Sequence, residues 1–166
     1  AMVGRDISYG VVSGEDDLSY LYNYKAVEIV MGDAFSVAPG EIMTLDRWFL
    51  VTDNGAAGLQ ALHRELTGSD GGVGWLEGTV DLPATLAPKD AWIAVTMADD
   101  RAETMAPVRD DGTFALELPT GTFTVAVYAR DHAPGTTASV TVVDGETEAV
   151  ALEVQESATV TVNVVD

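Results

Sequence analysis

Between Thr113 and Ala129 apolar side chains return at every second position, interrupted once by Pro119-Thr120-Gly121. Phe114, Leu116 and Leu118 share one face of the first run, and Phe123, Val125, Val127 and Ala129 share one face of the second. A repeat of two belongs to an extended strand, because a helix cannot bring residues i, i+2 and i+4 to one side. The two runs are therefore expected to form a hairpin with one apolar face. Asp110-Asp111-Gly112 supplies the turn into its first strand, since Asp tolerates turn geometry and glycine takes positive φ without steric cost. Pro119-Thr120-Gly121 is expected to do the same between the strands.

The same grammar repeats around this stretch. WLEGTVDL (75–82), AWIAVTMA (91–98), ASVTVV (138–143), EAVALEV (148–154) and ATVTVNVV (158–165) are short, rich in β-branched residues and bounded by Gly, Pro or Asp. About seven closely spaced strands predict a sandwich. A single antiparallel sheet would leave an apolar face wet, whereas two stacked sheets bury it.

Residues 1–74 read differently. SYGVVS, YKAVEIVMG and EIMTLDRWFLVTD also look like strands, the last preceded by Pro39-Gly40 and followed by Asp53-Asn54-Gly55. Leu59, Leu62 and Leu66 then recur at helical spacing in AAGLQALHRELTG, with Asp53 or Asn54 placed to cap the start and Gly68 to close the end. Four glycines in GSDGGVG read as a linker. The expected organisation is a strand-rich segment over 1–67 ending in a short helix, which either packs on the sandwich or is the tail of an upstream domain, a linker over 68–74, a β-sandwich over 75–157, and a last strand or the start of a next domain over 158–166. An Ala ahead of Met2, and a strand pattern still running at Asp166, predict a piece of a longer protein.

Composition limits the chemistry. Eight Lys and Arg against 27 Asp and Glu give a net charge of −19, which repels nucleic acid and anionic membranes. The chain has no cysteine, which excludes disulfides, thiolate nucleophiles and zinc-thiolate sites. No apolar run reaches the length of a membrane span. Its two histidines, His63 and His132, are isolated in sequence and offer no paired ligand spacing. Neither a G-x-S-x-G elbow nor a phosphate loop occurs, so no catalytic residue, resident metal or cofactor is expected. Asp99, Asp100 and Glu103 are the candidate calcium ligands, although they lack the spaced D-x-D-x-D-G pattern. Glu15, Asp16 and Asp17 form a second acidic group. Tyr20, Tyr22 and Tyr24 alternate in SYLYNYKA and are the candidate carbohydrate platform, with Trp92 and Tyr128 as further strand aromatics.

Gly78-x-Val80, a strand ending in AVTMADD, and then DGTFALELP-x-GTFTV carry a family pattern. Over residues 75–155 the chain resembles the carboxypeptidase regulatory-like module, which implies a transthyretin-like Greek-key β-sandwich. The order of FSVAPGEIMTLDRWFLVTD, a helix, this module and a new strand also resembles the region preceding the catalytic domain in large polymerase-and-histidinol-phosphatase-type (PHP) metallohydrolases. That resemblance implies a position upstream of an enzyme whose metal-binding histidines have no counterparts here. The expected function is thus a non-catalytic interdomain module of a larger exported, extracellular or periplasmic protein, with flanking domains as its partners. A carbohydrate- or calcium-binding module is the alternative, and a carboxylate-dependent hydrolase the third.

Overall fold

The computed structural model describes residues 1–13, 36–68, 71–99, 101–133 and 135–156, together with the backbone of 19–24 and 27–31. Its strands are β1 (Ser8–Ser13), β2 (Ser19–Tyr24), β3 (Val27–Met31), β4 (Arg47–Thr52), β5 (Val73–Asp81), β6 (Ala91–Met97), β7 (Ala102–Pro107), β8 (Thr113–Pro119), β9 (Gly121–Ala129), β10 (Thr137–Val142) and β11 (Thr147–Glu153). One α-helix, α1 (Gly55–Thr67), stands between β4 and β5. The protein is mainly β, as its periodicity predicts.

Strands β5 to β11 form a sandwich. Sheet one has the order β10-β9-β6-β7 and sheet two the order β11-β5-β8. Ile93, Val95, Val125, Val127 and Val140 from sheet one meet Leu76, Phe114, Leu116, Leu118 and Leu152 from sheet two in a single buried core. Each of these strands sends alternate residues inward, which is why the repeat of two is so regular in the sequence. Neighbouring strands are antiparallel except β5 and β11, which run parallel from Trp75↔Thr147 to Asp81↔Glu153.

The hairpin expected over 113–129 is not formed. β8 lies in sheet two and β9 in sheet one, so Thr120 carries the chain from one layer to the other. Two successive strands with matching apolar faces satisfy a hairpin and an arch equally well, since each buries its inward side chains in the shared core. Pairing partners decide between them: β8 joins β5, and β9 joins β6 and β10. β6, β7 and β8 follow one another around one side of the sandwich, and β9 returns beside β6, which is Greek-key order.

Three other expectations change. AETMAP, where no strand is expected from the sequence, is strand β7; only the small Thr104 and Ala106 face the core, so its apolar signal is faint. The strand expected over 41–53 starts only at Arg47. Helix α1 forms as predicted but buries Gly55, Ala57, Gly58 and Leu59 at its start, while Leu66 is 41% exposed. Leucine spacing identifies the helix; it does not reveal which turns have a neighbour. Gly68, at φ 62°, ends the helix in the left-handed conformation and returns its N–H to the Arg64 carbonyl. Val73 and Gly74, expected in the linker, already belong to β5. The strand expected over 158–165 lies outside the described residues.

Ahead of the sandwich, β1 and β4 pair antiparallel from Ser8↔Thr52 to Ser13↔Arg47, and β2 pairs with β3. Helix α1 packs against β1 and β4 on one side and against β7 and β8 on the other.

Candidate functional site

A sandwich has two open sides, where edge strands expose unpaired backbone groups. On one side the edges are β7 and β8, and helix α1 lies over the seam between them. Its polar side chains bond to carbonyls on the free edges. Asn54 Nδ2 donates to the Ala115 carbonyl at 2.9 Å, Gln60 Nε2 to the Glu103 carbonyl at 2.9 Å, and Arg64 Nη2 to the Glu117 carbonyl at 2.9 Å. Arg64 Nε also meets Glu117 Oε1 at 3.1 Å, with the two side chains 17% and 28% exposed. The helix therefore satisfies one acceptor on β7 and two on β8, while Ala57 reaches into the core.

Asn54 occupies the helix N-cap position yet makes no capping bond; its amide serves the β8 edge instead. Sequence reasoning assigned Asn54 a local role and gave Gln60 and Arg64 none. Their spacing of four, one turn apart beside Ala57, was the signal that a polar stripe flanks the buried face. Nothing in the sequence shows that the acceptors belong to edge strands.

The parallel pairing of β5 with β11 fixes how the chain passes through the sandwich. Trp75 sits opposite Thr147, and Asp81 opposite Glu153. The chain thus comes in at one end of sheet two and leaves at the other, with six strand steps between Trp75 and the level of Glu153, roughly 20 Å. An antiparallel pairing would have returned it to the starting end.

Of the predicted calcium candidates, Asp99 and Glu103 fall among the described residues and sit in different settings. Asp99 is held by Arg101, whose Nε lies 2.7 Å from Asp99 Oδ2. Glu103 sits on β7, with its carbonyl taken by Gln60. Asp100 lies outside the described residues, as do Glu15, Asp16 and Asp17. Tyr20, Tyr22 and Tyr24 are on β2, where the register with β3 shifts between Tyr20 and Tyr22; their side chains lie outside the described residues. His63 is on α1, and His132 lies just after β9, with Nδ1 2.8 Å from the Arg130 carbonyl. Among the described residues no three His, Asp or Glu side chains gather as a metal site, and no helix is long and apolar enough to cross a membrane.

The turn before β8 is built as its sequence implies. Asp111 Oδ1 accepts from the Thr113 hydroxyl at 2.7 Å and from the Thr113 N–H at 3.0 Å, and Gly112 takes φ 78°. These two bonds, the hydroxyl first, hold the Asp111 carboxyl below its usual range. The shift reflects turn structure.

Two surfaces stand out. The outer face of the β1–β4 pair carries Tyr9, Val11, Phe49 and Val51; the Tyr9 and Phe49 rings are 5.6 Å apart and Phe49 is 64% exposed. The outer face of sheet two is a shallow trough of about 660 Å³ floored by Thr79, Thr113, Ala115, Ala149 and Ala151, with Glu77 and Arg109 at its sides.

No family model and no curated protein matches the chain. Solved structures give partial likenesses. The minor pilin GBS52 of Streptococcus agalactiae aligns at 13% identity and TM-score 0.42, over 57% of this chain and 49% of the pilin. A DUF3823 family protein from Parabacteroides merdae aligns at 22% identity and TM-score 0.39, over 52% of this chain and 48% of that one. The Bacillus anthracis TIE protein aligns at 14% identity and TM-score 0.39, over 90% of this chain and 25% of its own. This chain thus spans half or less of the length of each.

Proposed function

We propose that this chain is a non-catalytic spacer, a carboxypeptidase regulatory-like, transthyretin-like sandwich of a larger exported PHP-type metallohydrolase that lies upstream of the catalytic domain. The parallel pairing of β5 with β11 carries the reading. It makes the sandwich a segment through which the chain passes end to end, so that the chain ahead of Val73 and the chain beyond Glu153 are held roughly 26 Å apart, eight strand steps from Val73 to the level of Glu153. Helix α1 adds rigidity by bonding to both edge strands while packing on β1 and β4. The apolar outer face of β1–β4 is a surface that a flanking domain would cover.

The absence of native cysteine permits a direct test. Spin labels placed by Val51→Cys and Gln155→Cys should report one narrow distance, because β4 is tied through α1 to the sandwich. A broad distribution in the otherwise unaltered protein would refute the spacer. Coding sequence beyond Asp166 without a PHP-type catalytic domain would refute the parent.

A further inference from the structure

Three of the four strands of sheet one, β6, β9 and β10, have an unusual outer face for so acidic a chain, while the fourth, β7, carries Glu103. The outward residues of β6 are Trp92, Ala94 and Thr96, and those of β9 include Thr124, Ala126 and Tyr128. β10 adds only hydroxyl side chains. No charge occurs among them, although the chain holds 27 acidic residues. Trp92 and Tyr128 stand directly opposite each other in the antiparallel register, and Tyr128 is 50% exposed.

At the aromatic end of this face is a cleft of about 250 Å³ lined by Lys89, Asp90, Trp92, Tyr128, Ala129 and Arg130. Lys89 and Arg130 are exposed and take part in none of the ion pairs among the described residues. The Arg130 N–H donates to the Asp90 carbonyl at 3.1 Å, which ties the two cation-bearing segments together beside the rings. Two of the chain's eight cations thus flank the exposed Tyr128 and the half-buried Trp92.

We propose that this cleft binds an acidic saccharide, one uronic-acid ring at a time. The C–H face of a pyranose stacks on the exposed Tyr128 ring and on the accessible part of the half-buried Trp92 ring. The sugar carboxylate meets Arg130 and Lys89 through charge-assisted hydrogen bonds. The Asp90 carboxylate accepts from ring hydroxyls. The net charge of −19 does not forbid this, since exposed charges beyond about 8 Å are screened at physiological salt. An acidic peptide would use the cations and leave the rings idle, and a neutral sugar would do the reverse. The site goes beyond the spacer role, and either can fail without the other.

The test is calorimetric titration of the whole chain with trigalacturonate, its methyl ester and a short polyglutamate at low and moderate salt. Trigalacturonate is expected to bind, and the ester about tenfold more weakly. Lys89→Glu with Arg130→Glu should lower affinity by at least about tenfold, as should Tyr128→Ala, which removes an exposed ring without touching the core. Absence of trigalacturonate binding at millimolar concentration overturns the proposal. Equal binding of the ester overturns the role of the cations, equal binding of polyglutamate overturns the saccharide, and an undiminished Tyr128→Ala overturns the location.

Discussion

Replacing Phe114 by Ala removes a ring that is 2% exposed and that fills the space left by a glycine on the neighbouring strand. Gly78 lies opposite Phe114 in the β5–β8 register, and a Cβ at Gly78 would fall 2.5 Å from Phe114 Cζ and against the Val150 carbonyl. Gly78 has no side chain that could relax into the cavity. The cost should therefore sit near the top of the usual range for Phe→Ala, about 4–5 kcal/mol. Gly78→Ala should cost about 1–3 kcal/mol through overpacking. In the Phe114→Ala background the ring contact is gone and the Val150 contact remains, so the second substitution should cost less by about 1–2 kcal/mol. Urea unfolding followed by tryptophan fluorescence and circular dichroism measures all four corners of the cycle. Since total stability is expected at about 5–15 kcal/mol, Phe114→Leu, costing about 1–1.5 kcal/mol, provides a variant that still folds. A cost below about 1 kcal/mol for Phe114→Ala, or strict additivity with Gly78→Ala, would refute this account of the core.

Arg64→Ala should destabilise by about 1–3 kcal/mol, because the Glu117 carbonyl loses a charged donor, whereas Glu117→Gln keeps that bond and should cost under about 1 kcal/mol; equal losses in urea unfolding would refute the clamp. Gly55→Ala should lower Tm by several degrees, about 2–4 °C per kcal/mol, since residue 55 has φ 64° and a Cβ there would stand 2.8 Å from the Met105 carbonyl; an unchanged Tm would refute it. The depressed Asp111 carboxyl stabilises the turn at pH above the ordinary carboxylate range, and that contribution is lost as pH falls through its lowered value. Asp111→Asn should therefore flatten the acid limb of the stability–pH curve, and an unaltered limb would count against the Thr113 bonds.

The inward faces were readable because a core position needs only to be apolar and to recur every second residue. Leu76, Phe114, Leu116, Val125 and Val127 meet that rule and are all buried. Layer assignment was not readable. The alternation of β8 and β9 is identical whether they pair or face each other, and the difference lies in hydrogen bonds that leave no mark on side-chain pattern. β7 was hidden because an edge strand covered by a helix needs few large apolar residues; Ala106 is buried with almost nothing to signal it. The clamp was hidden for a related reason. Gln60 and Arg64 are ordinary helix residues, and their role depends on carbonyls contributed by strands 43 and 53 positions away.

The two open sides of the sandwich are closed by different means, and the difference bears on where charge is placed. At β7 and β8 the cover is α1. At β10 and β11 the chain closes itself locally. The Thr136 N–H donates to the Glu153 carbonyl at 2.9 Å, and the Glu153 N–H donates back to Thr136 Oγ1 at 2.8 Å. Asp144, Glu146, Glu148 and Glu153 are exposed along and beside that edge, where like charge opposes pairing with another copy. Acidic residues thus gather where an uncovered strand would invite unwanted pairing, while the outward face of β6, β9 and β10 carries none. General solubility could be served by acids on that face as well as anywhere else. Their exclusion from it, beside the exposed Tyr128, the half-buried Trp92 and two cations that join no ion pair among the described residues, is the arrangement that a surface kept for a ligand requires.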